Sequence, residues 1–242
     1  WGRWNRKLFK KAKRVYTLSE GMAEQLTSYV ERDCIKVVPL WSSSEVFKPI
    51  EKINNPFVIE HNLQYKFVVM YSGNMGYTHS VETIVEVANL LKEDDDIHFL
   101  LIGDGMRKKE LVKMVKEYDL NNCTFLDWLP VEKLPYSLAS ADIGVVTLNE
   151  ETALTSVPSK TFNLMSVGAP LLCIAPKKSE IAKIINKYNN GVVFSADEHS
   201  GIAQYIKVLS KNTEQRYKMR DNSLNAAKEF TKENAKMYLY KN

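Results

Sequence analysis

Between residues 66 and 196 two apolar patterns alternate along the chain. One is a short, near-continuous run: KFVVMYSGN (66–74), DIHFLLIGDG (96–105), residues 123–126, DIGVVTL (142–148), APLLCIA (169–175) and GVVFSA (191–196). The other is a helical stripe, as over 80–93, where Val81, Ile84, Val85, Val87, Ala88, Leu90 and Leu91 recur at three- and four-residue spacing. Further helices are predicted over 106–118, 133–140, 159–167, 178–188, 198–210 and 214–230. Strands without polar alternation are buried on both faces, and strands separated by helices are joined by crossovers. The pattern therefore predicts an α/β fold, a parallel six-stranded sheet with helices on both faces. Such sheets bind ligands in the crevice outside the carboxyl ends of their strands.

The flanks read differently. Residues 2–14 set Arg3, Arg6, Lys7, Lys10, Lys11, Lys13 and Arg14 around Trp4, Leu8 and Phe9, which is a basic amphipathic helix. VYTLS (15–19) reads as a short strand, with Ser19 capping a helix over 20–30. Residues 35–50 read as an extended strand and connector with two prolines, and residues 51–65 as a polar loop. Three units follow: 1–50, 51–230 and a tail helix over 231–242.

Composition narrows the class. The 242 residues are 45% hydrophobic and 26% charged, which is ordinary globular composition. A net charge of +4, with no zinc-finger spacing or RNA-binding signature, argues against nucleic acid as a partner. Cys34, Cys123 and Cys173 are odd in number and far apart, so neither a disulfide framework nor a metal site is expected. No apolar run reaches the roughly 18 residues of a transmembrane helix. The basic N-terminus lacks both an apolar h-region and a starting Met, and is expected to come from a longer protein.

Four strand ends carry candidate chemistry. In YSGNMGYTHSVE (71–82), Gly73 and Gly76 bracket Asn74, so the backbone can approach a ligand closely. The spacing is neither a P-loop nor GxGxxG. In LLIGDGMRKKEL (100–111), Gly103, Asp104 and Gly105 turn a strand into a helix. In CTFLDWLPVEKLP (123–135), Trp128 and Leu129 present a flat wall and backbone amides. TSVPSKTFNLMSVGAP (155–170) is the most specific. Ser156 and Ser159 are candidate N-caps, Pro158 suits a first turn, and Gly168 and Pro170 close the helix. Lys160 is the odd residue there, because a helix N-terminus already carries partial positive charge; a phosphate at that place would account for it. His61, His79, His98 and His199 show no metal spacing. His98 lies within a strand and is expected to be a satisfied core histidine, whereas His79 follows the first glycine loop. Asp142, Glu150 and Glu151 flank a strand without pairing as acid and base. No Gly-x-Ser-x-Gly elbow is present.

Taken in order, these motifs resemble the C-terminal, donor-binding domain of family 4 glycosyltransferases of the GT-B fold. The resemblance runs over about residues 15–235. VYTLSEGMAEQL looks like the family's last strand and helix before the linker. IKVVPLWSSSEVFKP looks like the linker itself, with Trp41 to Ser44 in place of its usual Asn and Asp. YSGNMGYTHSVETIVEVA and LLIGDG match the first two strand-loop units, and FLDWLPVEKLP a third segment. SVPSKTFNLMSVGAPLL matches a variant found in enzymes that build bacterial surface polysaccharides such as capsule. Many members carry two glutamates eight residues apart, which hold the ribose and the donor sugar. Here those positions are Asn163 and Thr155. The basic pair usual after the first glycine loop is also absent.

The resemblance implies one half of a GT-B fold, a Rossmann-like domain, with residues 1–50 as the remnant of the N-terminal domain and the linker. It implies transfer of a sugar, with retention, from a nucleoside diphosphate sugar, uridine being the usual base, to a glycan or lipid-linked acceptor. No cofactor or metal is needed. Gly73, Asn74, Gly76, Ser156, Ser159 and Lys160 would hold the diphosphate. Gly103, Asp104, Gly105, Trp128, Leu129 and Asn163 would meet base and ribose, and Thr155 and Pro158 the donor sugar. No protein base is identified, because the leaving phosphate serves. Two such halves need roughly 300 or more residues, so this chain alone is expected to bind donor and to be inactive. The implied location is cytoplasmic. The basic helix is either a solvated helix of the missing domain or a peripheral contact with the inner face of a membrane. Two other functions fit the same fold: a sugar-nucleotide 2-epimerase, against which the PSK variant argues, and a non-catalytic nucleotide-sugar-binding module.

Overall fold

The computed structural model describes residues 2–43 and 45–239. Ser44 of the linker and residues 240–242 of the expected tail helix lie outside the described residues. Six parallel strands form one sheet: β3 (Phe67–Ser72), β4 (Ile97–Ile102), β5 (Cys123–Leu126), β6 (Ile143–Thr147), β7 (Leu171–Ile174) and β8 (Gly191–Phe194), where β1 (Val15–Thr17) and β2 (Ile35–Val37) precede them. Their order across the sheet is β5-β4-β3-β6-β7-β8. The chain thus moves outward from β3 to one edge, returns to β6 and moves outward to the other. Tyr71 of β3 lies in register with Val145 of β6 at this reversal.

The continuous apolar runs are explained by what covers them. Val68, Met70, Leu100, Ile102, Val146 and Cys173 point into one core with Phe57, Phe162, Leu164, Ile181 and Ala226. Val69, Tyr71, Phe99, Leu101, Val145 and Leu172 point into the other with Ile84, Val85, Leu111, Ile202 and Ile206. The first face belongs to α3 (Pro56–Glu60), α6 (Leu134–Leu138), α7 (Lys160–Ser166), α8 (Glu180–Tyr188) and α10 (Thr213–Ala227). The second belongs to α4 (Glu82–Leu90), α5 (Lys108–Glu117) and α9 (His199–Lys211), after α1 (Gly2–Phe9) and α2 (Glu20–Leu26) earlier in the chain. With both faces of every central strand buried, neither face needs polar alternation.

Residues outside the sheet depart more from expectation. β1 and β2 pair in parallel as a separate two-stranded unit. Ser19 caps α2 as expected, its hydroxyl accepting from Met22 N. The helix stops at Leu26 rather than 30, where the Thr27 and Ser28 hydroxyls bond back to the Glu24 and Gln25 carbonyls at 2.5 and 2.8 Å. Residues 51–65 are not simply a polar loop. They contain α3, which buries Phe57 and Val58 and starts at Asn55, whose side chain accepts from Phe57 N at 3.0 Å. Past α10 the expected tail helix is a 3-10 helix, Lys232–Tyr238. It returns to the β1–β2 unit, where Tyr16 OH donates to the Tyr238 carbonyl at 3.3 Å and the two rings lie 4.9 Å apart. Among the described residues no helix is long and apolar enough to cross a membrane. Trp4 and Leu8 of α1 are exposed.

Asn55 is fully buried and also donates to the Tyr136 carbonyl at 2.8 Å, tying α3 to α6. Asn55→Ala removes a helix cap, leaves the buried Phe57 N–H without its acceptor and frees the Tyr136 carbonyl. It is expected to lower stability by about 2 kcal/mol in urea unfolding. An unchanged midpoint would show that neither the Asn55 cap nor its bond to α6 contributes to stability.

Candidate functional site

At the reversal between β3 and β6 neighbouring connections leave in opposite directions from the carboxyl ends, the place where sheets of this order form a ligand crevice. Lys160, the first residue of α7, reaches into it. Its ammonium lies 3.8 Å from the centroid of the Tyr71 ring, at the end of β3. The Nζ atom is fully buried and has no hydrogen-bond partner among the described residues. Desolvation lowers its pKa to about 7, because an isolated buried charge is costly. Gly73 makes room for it. A Cβ on residue 73 would sit 2.8 Å from Nζ, and the backbone there has φ +156.

Tyr71 and His79 complete the surroundings. Tyr71 OH donates to the Asn74 carbonyl at 2.7 Å, and burial raises its pKa, so the ring stays neutral. His79 Nδ1 lies 3.1 Å from the Thr147 carbonyl at the end of β6. A carbonyl only accepts, so Nδ1 carries the proton and Nε2 is left as an acceptor. Burial lowers the His79 pKa, and the nearby Lys160 charge acts in the same direction.

Two glycine loops form the floor as one piece. Gly73 N donates to Ile102 O at 2.9 Å, Met75 N to Asp104 O at 2.8 Å, and Arg107 N to Met75 O at 3.0 Å. Gly103 has φ +134, and a Cβ on it would meet the Gly73 carbonyl oxygen at 2.0 Å. Asp104 is exposed and its carboxylate accepts from Gly105 N at 2.7 Å. Arg107, held by Glu82 and Glu110 at 2.6 and 3.0 Å, anchors the start of α5.

The structure therefore brings Gly73, Asn74, Gly76 and Lys160 together, with Gly103, Asp104 and Gly105 on the adjoining loop. Trp128, 56% exposed, and Leu129, which packs on the core, stand farther out beyond β5. Thr155 and Ser159 are exposed, and Ser156 and Pro158 are half-buried. Ser159 does occupy the N-cap position of α7, but neither it nor Ser156 caps through its hydroxyl. The backbone of Ser159 is already helical, φ −59 and ψ −29, whereas a hydroxyl cap needs an extended residue. Gly168 takes the expected left-handed turn at φ +79. Asn163, one turn after Lys160, is tied to the linker: Ser42 donates to its Oδ1 at 2.7 Å, and Ser42 N donates to Phe230 O at 2.9 Å.

Other expectations resolve elsewhere. His98 Nε2 lies 2.9 Å from Thr124 Oγ1, and burial lowers its pKa to about 4, as suits a neutral satisfied histidine. Asp142 and the pair Glu150 and Glu151 lie at opposite ends of β6. Asp142 accepts from Val68 N at 2.7 Å and pairs with Lys52. A groove at that amino end of the sheet also holds Arg216 and Arg220, but its cations are already engaged. Arg220 pairs with Glu51 at 3.3 Å, and Arg216 donates to the Leu209 and Ser210 carbonyls at 2.8 and 2.6 Å. Sequence reasoning missed Tyr71, Thr147 and Ser42. The first two stand inside apolar runs, and their only signal is a place at a strand's carboxyl end.

Comparison with known proteins bears on this arrangement. The family model described as glycosyl transferases group 1 matches residues 52–226. "Probable glycosyltransferase WbjE" of Pseudomonas aeruginosa is 28% identical over 151 residues, 62% of this chain and 38% of that protein. "Putative colanic acid biosynthesis glycosyl transferase WcaI" of Escherichia coli strain K12 is 25% identical over 211 residues, 82% of this chain and 51% of its own length. The chain thus spans about half of these relatives or less. The structure of Anabaena Alr3699/HepE in complex with UDP-glucose superposes with a TM-score of 0.81 at 16% identity, covering 98% of this chain and 68% of that one. At that identity the likeness shows the fold.

The interlocked loops make a direct prediction. Gly103→Ala puts a methyl group onto the Gly73 carbonyl and strains φ. A loss of about 2–4 kcal/mol is expected in chemical unfolding. A variant as stable as the parent would show that the two loops are not packed against each other.

Proposed function

The chain belongs to the glycosyl transferases group 1 family, and from that premise we propose that it is the donor-binding part of a retaining glycosyltransferase. The donor is a nucleoside diphosphate sugar, UDP-linked, and the acceptor a glycan or lipid-linked sugar in bacterial surface polysaccharide synthesis. Likeness to WbjE and WcaI supports the class of reaction, and the UDP-glucose held by HepE makes uridine the first base to test.

One observation carries the reading: the buried Lys160 Nζ, without an acceptor among the described residues, facing Gly73 at the sheet's reversal. A diphosphate laid across Gly73, Asn74 and Gly76 supplies the missing acceptors, and Ser156 and Ser159, just ahead of Lys160 in the chain, add hydroxyls. As the bond to the sugar breaks, negative charge grows on the leaving diphosphate, and a fixed cation in a water-poor crevice stabilises it. In this reading the leaving phosphate takes the acceptor's proton on the retained face, and neither a metal nor a protein base is required. Gly103, Asp104, Gly105, Trp128 and Leu129 meet the base. Asn163 replaces an acidic ribose contact. Its Oδ1 is taken by Ser42, which leaves its amide N–H to donate to a ribose hydroxyl. Thr155 and Pro158 lie toward the donor sugar.

Calorimetric titration of the chain with UDP, GDP and ADP, each with and without Mg²⁺, tests the proposal. Metal-independent binding of UDP is expected, weakened by about 1.5–3 kcal/mol in Lys160→Ala, the scale of a charge-assisted contact. Binding of none of the three would contradict the reading, and equal affinity in the variant would remove Lys160 from the site.

A further inference from the structure

Lys160 is placed as few lysines are. Its nitrogen is out of contact with solvent, no carbonyl, hydroxyl or carboxylate of the described residues accepts from it, and the face of Tyr71 lies 3.8 Å away. Among the described residues, the elements around α7 offer no counter-charge to the Lys160 amine. β3 contributes the neutral Tyr71, and the loop after it contributes His79, held by the Thr147 carbonyl. β6 contributes the Thr147 hydroxyl, and β7 the Cys173 thiol deep in the core. α10 meets α7 at its other end, where the Arg220 stem lies against Gly168. An anion in the crevice changes this balance, because an opposite charge that also accepts hydrogen bonds favours the protonated form far more than the Tyr71 face does.

Resting on the donor-site reading above, we propose that diphosphate binding and proton uptake by Lys160 are a single coupled event. The empty crevice then holds a largely neutral amine at slightly alkaline pH, and the occupied crevice holds an ammonium paired to phosphate oxygens. The proton comes from solvent on binding and returns to it when the nucleotide leaves. The coupling also selects the ligand. A neutral sugar cannot draw the proton in, whereas a diphosphate can. The sign follows from linkage. Burial brings the free amine's pKa to about 7 and the bound one lies higher, so the Lys160 contribution to affinity is full below pH 7 and is lost as pH rises through the bound value.

The test is titration calorimetry of UDP into the chain at pH 8.0, where the terminal phosphate of UDP is already ionised. Parallel runs in HEPES and Tris, which differ in ionisation enthalpy, give the number of protons exchanged. Uptake close to one proton per UDP is expected for the parent. Lys160→Arg, whose charge is permanent, is expected to bind with no uptake, and Lys160→Met to bind weakly with no uptake. His79→Gln is expected to keep the uptake, which separates the amine from its imidazole neighbour. UDP binding by the parent with equal heats in the two buffers would overturn the coupling. So would unchanged uptake in Lys160→Arg, or its disappearance in His79→Gln. No UDP binding by the parent would overturn the donor-site reading, and the coupling with it.

Discussion

An ammonium stripped of water and left without an acceptor is costly to keep inside a protein. This chain places the Lys160 amine, with no acceptor among the described residues, at the point where its sheet reverses direction, and desolvation lowers its pKa accordingly. Much of the local architecture serves to hold it there. Pro158 and the helical backbone of Ser159 start α7 so that Lys160 is its first residue. Phe162, Leu164 and Met165 fix the helix to the sheet, and Gly73 leaves the ammonium room. The face of Tyr71 gives partial compensation through its ring, since a cation over an aromatic face is attracted to it. The remaining cost is what an anionic ligand would relieve.

Around that group the structure links parts of the chain that lie far apart in sequence. The loops after β3 and β4 share hydrogen bonds and leave no space for side chains at their crossing, so the floor of the crevice is fixed before any ligand arrives. Behind it, Ser42 holds both Asn163 of α7 and the carbonyl of Phe230. The linker, the helix bearing Lys160 and the returning C-terminal segment therefore meet at one serine. Helix α2, which joins β1 to β2, adds a second seam, where Gly21 lies so close to the Glu180 carboxylate that a Cβ there would stand 2.3 Å from its oxygen.

The fold was readable because the strands are apolar throughout, and only a sheet covered on both faces hides such runs. Long amphipathic helices were readable for a related reason. α3 was not, because five residues hold too little of a period to register. Its Asn55-Pro56 start was the one available sign. The site was half legible. Glycines at strand ends and a lysine against a helix dipole pointed to the right loops. That the lysine is buried rests on Tyr71 and Gly73, nearly ninety positions away in sequence, and no local pattern reveals such packing. The same holds for the bond between Ser42 and Asn163. The serine caps failed because hydroxyl capping depends on backbone angles, which residue type alone does not set.

The most direct measurement is a crystal structure of this chain soaked with UDP. The account predicts the diphosphate over Gly73, with Lys160 Nζ about 2.7–3.1 Å from a phosphate oxygen and drawn away from the Tyr71 ring. UDP bound elsewhere on the chain, with Lys160 still unpaired against Tyr71, would contradict it.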